Sequence, residues 1–245
     1  MFKKLTIIIP VYNEEKTLRQ IISAVEAVEL PLEKEIILVD DCSTDGSREV
    51  IHSFNITTFS VVSPRVGYKV VFLDKNSGKG AAIRKGFQVA TGDIVLIQDA
   101  DLEYNPQDYP TLIKPIMDGV ADVVYGSRFL KSGNNNTIIY KHGYFVSQAL
   151  SWLSNILSGV WLSDMYTCYK VFSKDAINKI HPRLKSKRFG IDPELTAWVG
   201  KMNLKVVEVP ISYKGRTYAE GKKIGWKDGL AAIWHIIRFN VFTRK

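Results

Sequence analysis

Short apolar runs alternate with amphipathic stretches through the first half of the chain. The runs are four to seven residues long and rich in β-branched residues, as is typical of strands buried on both faces. We predict strands over residues 5–11, 35–40, 70–73, 93–98 and 121–125. The intervening stretches have helical periodicity and predict helices over 14–30, from Ser43 or Thr44 to Ser53, over 79–90, and from Asn105 to about Asp118.

Strands that alternate with helices of about 10–15 residues predict βαβ units, and therefore an α/β fold with a mainly parallel, Rossmann-like sheet flanked by helices. The carboxyl ends of parallel strands share one edge of such a sheet, where ligands bind. Polar clusters follow four of the predicted strands: Tyr12-Asn13-Glu14, Asp40-Asp41, Asp99-Ala100-Asp101 and Gly126-Ser127-Arg128. The pattern therefore predicts a binding site at this edge.

The second half of the chain is less regular. We predict a helix over 143–162, a strand within 166–172, edge strands over 205–209 and 211–213, and a final helix over 226–241. Another helix is predicted to begin at Asp192, with this aspartate at the N-cap and Pro193 at the first helical position. Residues 216–225 form a basic, glycine-punctuated loop, and no linker divides the chain.

Composition narrows the class of protein. The 245 residues include 33 Lys and Arg against 25 Asp and Glu, a net charge of +8 that suits anionic partners such as nucleotides or lipid headgroups. The chain has no helix-turn-helix or RNA-binding aromatic motif, so we expect no nucleic-acid partner. Its two cysteines cannot form a disulfide framework. With neither a signal peptide nor an apolar run of bilayer length, we expect a cytoplasmic protein.

Asp99 and Asp101 are the strongest chemical signal. Two carboxylates one residue apart, directly after a buried strand, can converge on one cation if the backbone turns there. Hard oxygen ligands favour Mg²⁺ or Mn²⁺, shared with the phosphates of a substrate. Glu103 is a candidate third ligand. A solvated acidic turn is the alternative, but the facing acidic cluster after the second strand favours a metal site.

Two further features at the same edge of the sheet can each be interpreted either as part of a binding site or as purely structural. A carboxylate of the Asp40-Asp41 pair is placed to accept hydrogen bonds from a nucleobase or ribose, or else to cap the next helix. Residues 76–80 open a helix with small side chains, and a helix N-terminus attracts anions. That stretch lacks the Walker A pattern, so a plain loop–helix junction is the alternative.

Taken in order, these motifs resemble a family 2 glycosyltransferase of the GT-A fold, in the dolichyl- or polyprenyl-phosphate mannosyltransferase branch. The first half contributes PVYNE at 10–14, the Asp40-Asp41 pair with STDG at 43–46, NSGKG at 76–80, DAD at 99–101 and GSR at 126–128. The second half contributes SDMYTCYK at 163–170, FGIDPE at 189–194, VPISY at 209–213 and GKKI at 221–224. The resemblance covers nearly the whole chain.

The resemblance implies a single GT-A domain over 1–245, with a nucleotide-sugar half over 1–105, an acceptor half over 106–225 and a C-terminal helix over 226–245. It implies a GDP- or UDP-hexose donor, with mannose or glucose as the sugar, a divalent cation and inversion at the anomeric carbon. The residues implied at the nucleoside pocket are Pro10, Tyr12, Glu14 and Asp41, with Lys79 nearby. Asp99 would reach the ribose or the metal, and Asp101 would be the principal metal ligand.

The acceptor decides whether a base is needed. A lipid phosphate, with a second pKa of ~6, needs no base but needs a cation to bind it. Arg128 is the best candidate for that cation. A glycan hydroxyl, the alternative acceptor, needs a carboxylate base. Asp164 is our candidate base or acceptor-positioning residue, ahead of Asp192 and Glu194. On the donor side, Arg216 and Lys222 or Lys223 are candidate helpers for the leaving diphosphate.

The C-terminal helix is amphipathic, with apolar residues at helical spacing and basic residues around them. Such a helix suits the interface of a membrane, which would make the protein peripheral on the cytoplasmic membrane face. A helix packed on the core or on a second subunit of a homo-oligomer is the alternative. The apolar stripe at residues 152–161 has the same two interpretations.

Overall fold

The computed structural model describes residues 2–54, 65–130, 141–215 and 226–244, with the side chains of 141, 142 and 226–228 excepted. Within these ranges seven strands form one sheet, in the order β3-β2-β1-β4-β6-β5-β7. The strands are β1 (Lys4–Val11), β2 (Glu33–Asp40), β3 (Val66–Phe72), β4 (Ile94–Ile97), β5 (Val123–Ser127), β6 (Lys170–Ser173) and β7 (Val206–Pro210). The helices are α1 (Glu15–Ala27), α2 (Ser47–Ser53), α3 (Lys79–Val89), α4 (Tyr109–Met117), α5 (Lys141–Ser158), α6 (Lys174–Ile180), α7 (Ile191–Lys201) and α8 (Trp226–Ile237).

The sheet is parallel except for one strand. β1 pairs in parallel with β2 and β4, β2 with β3, and β5 with β7. β6 lies antiparallel between β4 and β5. The carboxyl ends of the other six strands therefore share one edge, and the predicted mainly parallel α/β fold is confirmed. None of the described helices is both long and apolar enough to cross a bilayer.

The first strands have continuous apolar sequences because both of their faces are buried. Ile7, Ile8 and Ile9 are fully buried, as is the segment 36–39 of β2. Both faces of these central strands are covered, so side chains on either side of the pleat are apolar. The helices α3, α4 and α6 pack against this sheet.

β3 begins four residues earlier than the sequence predicted. Tyr68 and Lys69 interrupt the apolar pattern there, but neither leaves its polar atoms without partners. The Tyr68 hydroxyl donates to Glu26, and Lys69 Nζ donates to the carbonyl of Val89 at 3.0 Å. Because helices on either side accept these bonds, a strand with polar side chains extends along β2.

The second half contains three corrections. α7 begins at Ile191 with Gly190 at its N-cap position, so Asp192 is not the cap. The carboxylate of Asp192 instead pairs with Lys170 Nζ at 2.5 Å. The predicted strand over 211–213 is reduced to an isolated bridge between Tyr213 and Tyr104. α6 was not predicted; the Ser173 hydroxyl caps it by accepting a bond from the backbone N–H of Ala176 at 3.2 Å.

Candidate active site

The loops that follow β1 and β2 are bonded to each other. The Asn13 side-chain oxygen accepts from the backbone N–H of Thr44 at 2.8 Å, and the backbone N–H of Asn13 donates to the Ser43 hydroxyl at 3.1 Å. Asn13 and Cys42 have φ values of 55° and 62°, a left-handed conformation that is strained for a cysteine. Ser43 and Thr44 therefore join the two loops, and the predicted cap of α2 from these residues is wrong. α2 begins only at Ser47.

Asp40 and Asp41 have different hydrogen-bond partners and therefore different roles. Asp40 is fully buried and accepts from Arg48 Nε at 2.7 Å, which ties β2 to α2. The carboxylate of Asp41 accepts from the backbone N–H groups of Ser77 and Gly78, at 2.7 and 2.6 Å. The anion held near the start of α3 is thus the protein's own carboxylate. Asp41 links the loops after β2 and β3 at the predicted nucleoside pocket.

Close packing explains two of the glycines before and in α3. A Cβ at Gly80 would lie 2.8 Å from the carbonyl oxygens of Ser186 and Arg188. Gly78 has a φ of +91° and packs equally tightly against Lys187. The backbone N–H of Ala81 donates to the Lys187 carbonyl at 2.9 Å. The small residues of this junction therefore let the segment 186–188 cover the N-terminus of α3.

The other predicted nucleoside contacts lie at the end of β1. Pro10 is the penultimate residue of the strand, opposite Val39 of β2. The Tyr12 side chain is 38% exposed just beyond the strand. Glu14 donates its backbone N–H to the Ser47 hydroxyl at 2.9 Å. These residues share the sheet edge with Asp41, so the topology brings the predicted set to one region.

Lys79 forms an ion pair with Asp99, its Nζ 2.5 Å from Oδ1, and each side chain is 21% exposed. Burial alone would lower the pKa of Lys79, but the Asp99 carboxylate raises it above its ordinary value. Burial would likewise raise the pKa of Asp99, but the Lys79 ammonium holds it below its usual range. Burial and the Asp99 carboxylate raise the pKa of the neighbouring Cys168 thiol. Lys79 and Asp99 are therefore charged in the free protein.

Asp101 is buried behind a turn, where its Oδ1 accepts from the backbone N–H of Glu103 at 3.1 Å. The Glu103 carboxylate accepts from the Tyr213 hydroxyl at 3.1 Å. Among the described residues, no three His, Cys, Asp or Glu side chains converge as a metal site, so the predicted set with Glu103 as third ligand is not assembled. Asp99 and Asp101 still fit Mg²⁺ or Mn²⁺, because such ions take one or two carboxylates plus substrate phosphates.

Arg128 and Asp164 form a bidentate ion pair just beyond the end of β5. Arg128 Nε lies 2.7 Å from Oδ2 and Nη2 lies 2.7 Å from Oδ1, and the backbone N–H of Arg128 also donates to Oδ2 at 3.1 Å. Asp164 is fully buried. Burial would lower the pKa of Arg128, but Asp164 raises it, so the guanidinium stays charged. The guanidinium also lies 5.2 Å from the Tyr213 ring centroid.

Glu208 supports this pair and was missed in the sequence. Its carboxylate accepts from the backbone N–H groups of Ser163 and Asp164, at 2.8 and 3.1 Å, and from the Ser163 hydroxyl at 3.1 Å. Burial raises the pKa of Glu208 above its usual range. The one available signal was a single acid within the apolar strand VVEVP.

The acids named second as candidate bases have structural partners. Asp192 pairs with Lys170, which is fully buried and lies 5.3 Å from the Tyr125 ring centroid. Glu194 is fully buried and accepts from the backbone N–H groups of Lys185 and Ser186, at 2.8 and 2.7 Å. It therefore holds the segment that covers α3. The predicted donor-side cations Arg216, Lys222 and Lys223 lie outside the described residues.

Comparison with known sequences identifies relatives of this chain. The sequence profile of glycosyl transferase family 2 matches residues 6–180, more than two thirds of the chain. The dolichol-phosphate mannosyltransferase of Pyrococcus furiosus is 35% identical over 130 residues, 53% of this chain and 34% of the relative. The undecaprenyl-phosphate 4-deoxy-4-formamido-L-arabinose transferase of Aeromonas hydrophila is 42% identical over 124 residues, 50% of this chain and 36% of the relative.

A third relative aligns over more of the chain. The dodecaprenyl-phosphate galacturonate synthase of Rhizobium johnstonii is 26% identical over 227 residues, 89% of this chain and 61% of the relative. The chain thus spans less than two thirds of the length of each of these relatives.

Solved structures share the fold. Glucosyl-3-phosphoglycerate synthase of Mycobacterium tuberculosis, in complex with Mn²⁺, UDP and glucosyl-3-phosphoglycerate, superposes with a TM-score of 0.69 at 18% identity, over 98% of this chain and 80% of that chain. The same synthase with phosphoglyceric acid gives 0.71 at 17% identity, over 97% and 80%. This similarity confirms the predicted GT-A architecture.

Proposed function

Because the chain belongs to glycosyl transferase family 2, we propose that this glycosyltransferase moves a sugar from a nucleotide-sugar donor to the phosphate of a polyprenyl phosphate. Three relatives that act on dolichyl, undecaprenyl or dodecaprenyl phosphate, by their names, support this acceptor class. The observation that carries the proposal is the Arg128–Asp164 pair, a fixed guanidinium on the acceptor side of the sheet edge.

The state of Asp164 favours a phosphate acceptor over a glycan hydroxyl. A hydroxyl nucleophile needs a base that can take its proton, whereas a phosphate dianion is already nucleophilic. Both oxygens of Asp164 bind the Arg128 guanidinium, and the carboxylate is fully buried. We infer that Asp164 positions Arg128, and through it the acceptor phosphate, rather than acting as a base. Arg128 holds the phosphate by charge-assisted hydrogen bonds.

On the donor side, we assign the nucleoside pocket to the edge formed by Pro10, Tyr12, Glu14 and Asp41. The donor is a GDP- or UDP-hexose carrying mannose or glucose, and Arg216 and Lys222 assist the leaving diphosphate. An oxygen of the acceptor phosphate bonds to the anomeric carbon while the bond from that carbon to the diphosphate oxygen breaks. Attack from the face opposite the leaving group inverts the configuration.

The reaction is proposed to require Mg²⁺ or Mn²⁺. Asp101 and Asp99 would hold the cation, which when bound neutralises the charge that develops on the departing diphosphate. Asp101 is pre-positioned by its bond to the backbone of Glu103. Asp99 would hold the cation in place of its present contact with Lys79. The Lys79 ammonium would then supply a second positive charge for the diphosphate.

The acceptor also implies a location. A polyprenyl phosphate resides in a bilayer with its headgroup at the surface, so we propose that the protein works peripherally on the cytoplasmic face of a membrane.

The test is a donor screen with product identification. The protein is incubated with labelled GDP- and UDP-hexoses and undecaprenyl phosphate, with Mn²⁺ or with a chelator. We expect label in a lipid-linked phosphodiester from at least one donor, and none in the chelated reaction. A parallel reaction replaces the lipid with an oligosaccharide acceptor, and transfer there with no lipid-linked product from any donor would contradict the proposal.

A further inference from the structure

α5 has its polar side inward and its apolar side outward. Ser151, Ser154 and Asn155 are buried against the protein. Phe145, Trp152 and Ile156, on the opposite side, are exposed, with Trp152 at 61%. A helix on a water-covered surface shows the reverse arrangement, with its apolar stripe facing the core. The exposed side of α5 is therefore shaped for an apolar environment.

Ser151 and Asn155 have hydrogen-bond partners that hold this side of α5 inward, whereas the buried Ser154 hydroxyl has none among the described residues. The Ser151 hydroxyl accepts from the backbone N–H of Met165 at 3.1 Å. The Asn155 side chain donates to the carbonyl of Leu162 at 2.9 Å and accepts from its backbone N–H at 3.1 Å. Rotating the helix to bury the tryptophan would break these bonds and leave buried polar groups unpaired.

α8 lies against α5 and exposes a second apolar face. Ala232 and Ile236 are buried, as is Phe239 just beyond the helix, while Trp234 is 55% exposed on the outer side. We define the apolar surface as the exposed residues of both helices and their ends: Phe145, Val146, Trp152, Ile156, Leu157, Trp161, Leu230, Ile233, Trp234, Val241 and Phe242. Grouped exposed apolar side chains of this number mark an interaction site.

The apolar surface begins beside the proposed phosphate-binding residue. The Tyr144 ring, in the first turns of α5, contacts the Phe129 ring with centroids 4.9 Å apart. The Arg128 guanidinium lies 5.3 Å from the same Phe129 ring. The Gln148 side chain donates to the carbonyl of Ser163 at 2.9 Å, next to Asp164. A lipid whose phosphate meets Arg128 therefore has apolar protein surface next to its headgroup.

The net charge of the chain is concentrated in the segments that contain this surface. Residues 129–163 include two basic and no acidic residues, and residues 214–245 include eight basic and two acidic residues. These two segments together carry a charge of +8, which equals the net charge of the whole chain. The rest of the sequence has 23 basic and 23 acidic residues, which cancel.

We propose that the apolar surface docks the protein on a bilayer that contains anionic lipids. Tryptophan and aliphatic side chains enter the boundary between headgroups and acyl chains, and the basic segments bind the anionic headgroups. A second copy of the chain fits less well, because pairing this face with itself would bring together the C-terminal ends of both copies, where Arg238 and Arg244 are exposed. The inference adds a membrane-binding surface to the proposed function. It rests on that function only in naming polyprenyl phosphate as the acceptor.

Vesicle co-sedimentation tests the apolar part. The full chain is mixed, without donor or polyprenyl phosphate, with phosphatidylcholine vesicles or with vesicles that also contain phosphatidylglycerol. We expect binding to the anionic vesicles, a blue shift of tryptophan emission and quenching by brominated acyl chains. Trp152→Ser and Trp234→Ser should each lower the partition coefficient about tenfold. Val120→Ser, an equally exposed apolar position outside the surface, should leave it unchanged.

Charge variants test the electrostatic part. Arg238→Gln with Arg244→Gln removes two exposed charges of the C-terminal segment and should weaken binding about tenfold or more, since each basic residue near an anionic surface is worth about 1 kcal/mol. Lys16→Gln with Lys205→Gln removes two exposed charges elsewhere and should have a much smaller effect. All variants change exposed side chains, and unchanged thermal midpoints would exclude unfolding as the cause.

Two results would overturn the inference. One is that the wild-type protein stays in the supernatant with anionic vesicles at low salt. The other is that it sediments as a dimer which Trp152→Ser or Trp234→Ser converts to a monomer, because the surface would then be a subunit interface. Neither result touches catalysis, which is measured separately with a short, water-soluble prenyl phosphate. Loss of that transfer with vesicle binding intact would count against the proposed function alone.

Discussion

The Lys79–Asp99 pair, on the proposed donor side, and the Arg128–Asp164 pair, on the proposed acceptor side, each join one basic and one acidic side chain but differ in geometry. Lys79 contacts Asp99 through one nitrogen, and both side chains are partly exposed. Arg128 contacts Asp164 through two guanidinium nitrogens and a backbone N–H, and the carboxylate is fully buried. Glu208 holds the backbone on which Asp164 sits.

This difference indicates two kinds of binding site. The single, partly exposed contact between Lys79 and Asp99 can be replaced by contacts to a divalent cation and a diphosphate when these bind. A bidentate arginine fixed by a buried carboxylate is ready for its ligand before that ligand binds. The donor side is therefore adaptable and the acceptor side is rigid, and the following substitutions test that contrast.

The largest expected effect is on the acceptor side. Asp164→Ala leaves the Arg128 charge without its buried partner, so we expect the free energy of unfolding to fall by about 3–5 kcal/mol. Urea denaturation measures it. Asp118→Ala, which breaks the exposed Lys114–Asp118 pair, is the control and should cost less than about 0.5 kcal/mol. Equal losses in the two variants would show that the acceptor pair is not a rigid element.

The next effect concerns the donor side and appears in activity. Asp101→Asn removes a carboxylate charge from the proposed cation site, and we expect kcat to fall on the order of 10²–10³-fold. The free energy of unfolding should change by much less than in Asp164→Ala. Steady-state transfer assays and urea denaturation of the same preparation separate the two effects. Full activity in this variant would remove the cation from the proposed mechanism.

Glu35, a buried acid near the start of β2 and remote from both ion pairs, provides a comparison with them. Burial would raise its pKa, but bonds from Lys69, Thr6 and Thr91 lower it to about 2. Because this pKa is depressed in the folded state, the stabilisation is present above the ordinary glutamate pKa and is lost as pH falls towards 2. Glu35→Gln should cost about 2–3 kcal/mol at neutral pH and progressively less in acid. A pH-independent loss would contradict this reasoning.

The smallest stability effect is expected for Lys79→Met. The free energy of unfolding should change by at most about 1 kcal/mol, because the pair is partly exposed and singly bonded. Mn²⁺ should bind more tightly to this variant in the absence of nucleotide, since the ammonium no longer competes for Asp99. Isothermal titration measures that affinity. Weaker Mn²⁺ binding would show that Lys79 supports the cation site rather than occupying it.

The fold of the first half was predictable because its signals are local. Runs such as residues 7–9 are β-branched and fully buried, and they predict central strands wherever they occur. The acceptor half depends on distant partners. Asp192 was predicted as a cap because its partner Lys170 lies 22 residues away, and α5 places polar residues inward, opposite to the usual helix pattern.

The residues of the candidate site could likewise be predicted where their positions depend on local signals. Asp41, Asp99 and Asp101 follow strands, and a parallel sheet brings such residues to one edge whatever the details of packing. Glu208 was missed because its role depends on the backbone of Asp164, which is 44 residues earlier in the chain. Asp164 was predicted from the sequence as a base or an acceptor-positioning residue, and the proposal that it positions Arg128 depends on the geometry of the ion pair.

The most direct test of the central claim compares two acceptors that differ only in their headgroup. Wild-type protein is given its preferred nucleotide sugar and Mn²⁺ with either a polyprenyl phosphate or the polyprenol of the same chain length. Because Asp164 is occupied by Arg128, the account predicts rapid transfer to the phosphate and no measurable transfer to the alcohol. Comparable rates with the two acceptors would contradict the assignment of Arg128 and Asp164 as a phosphate-binding pair.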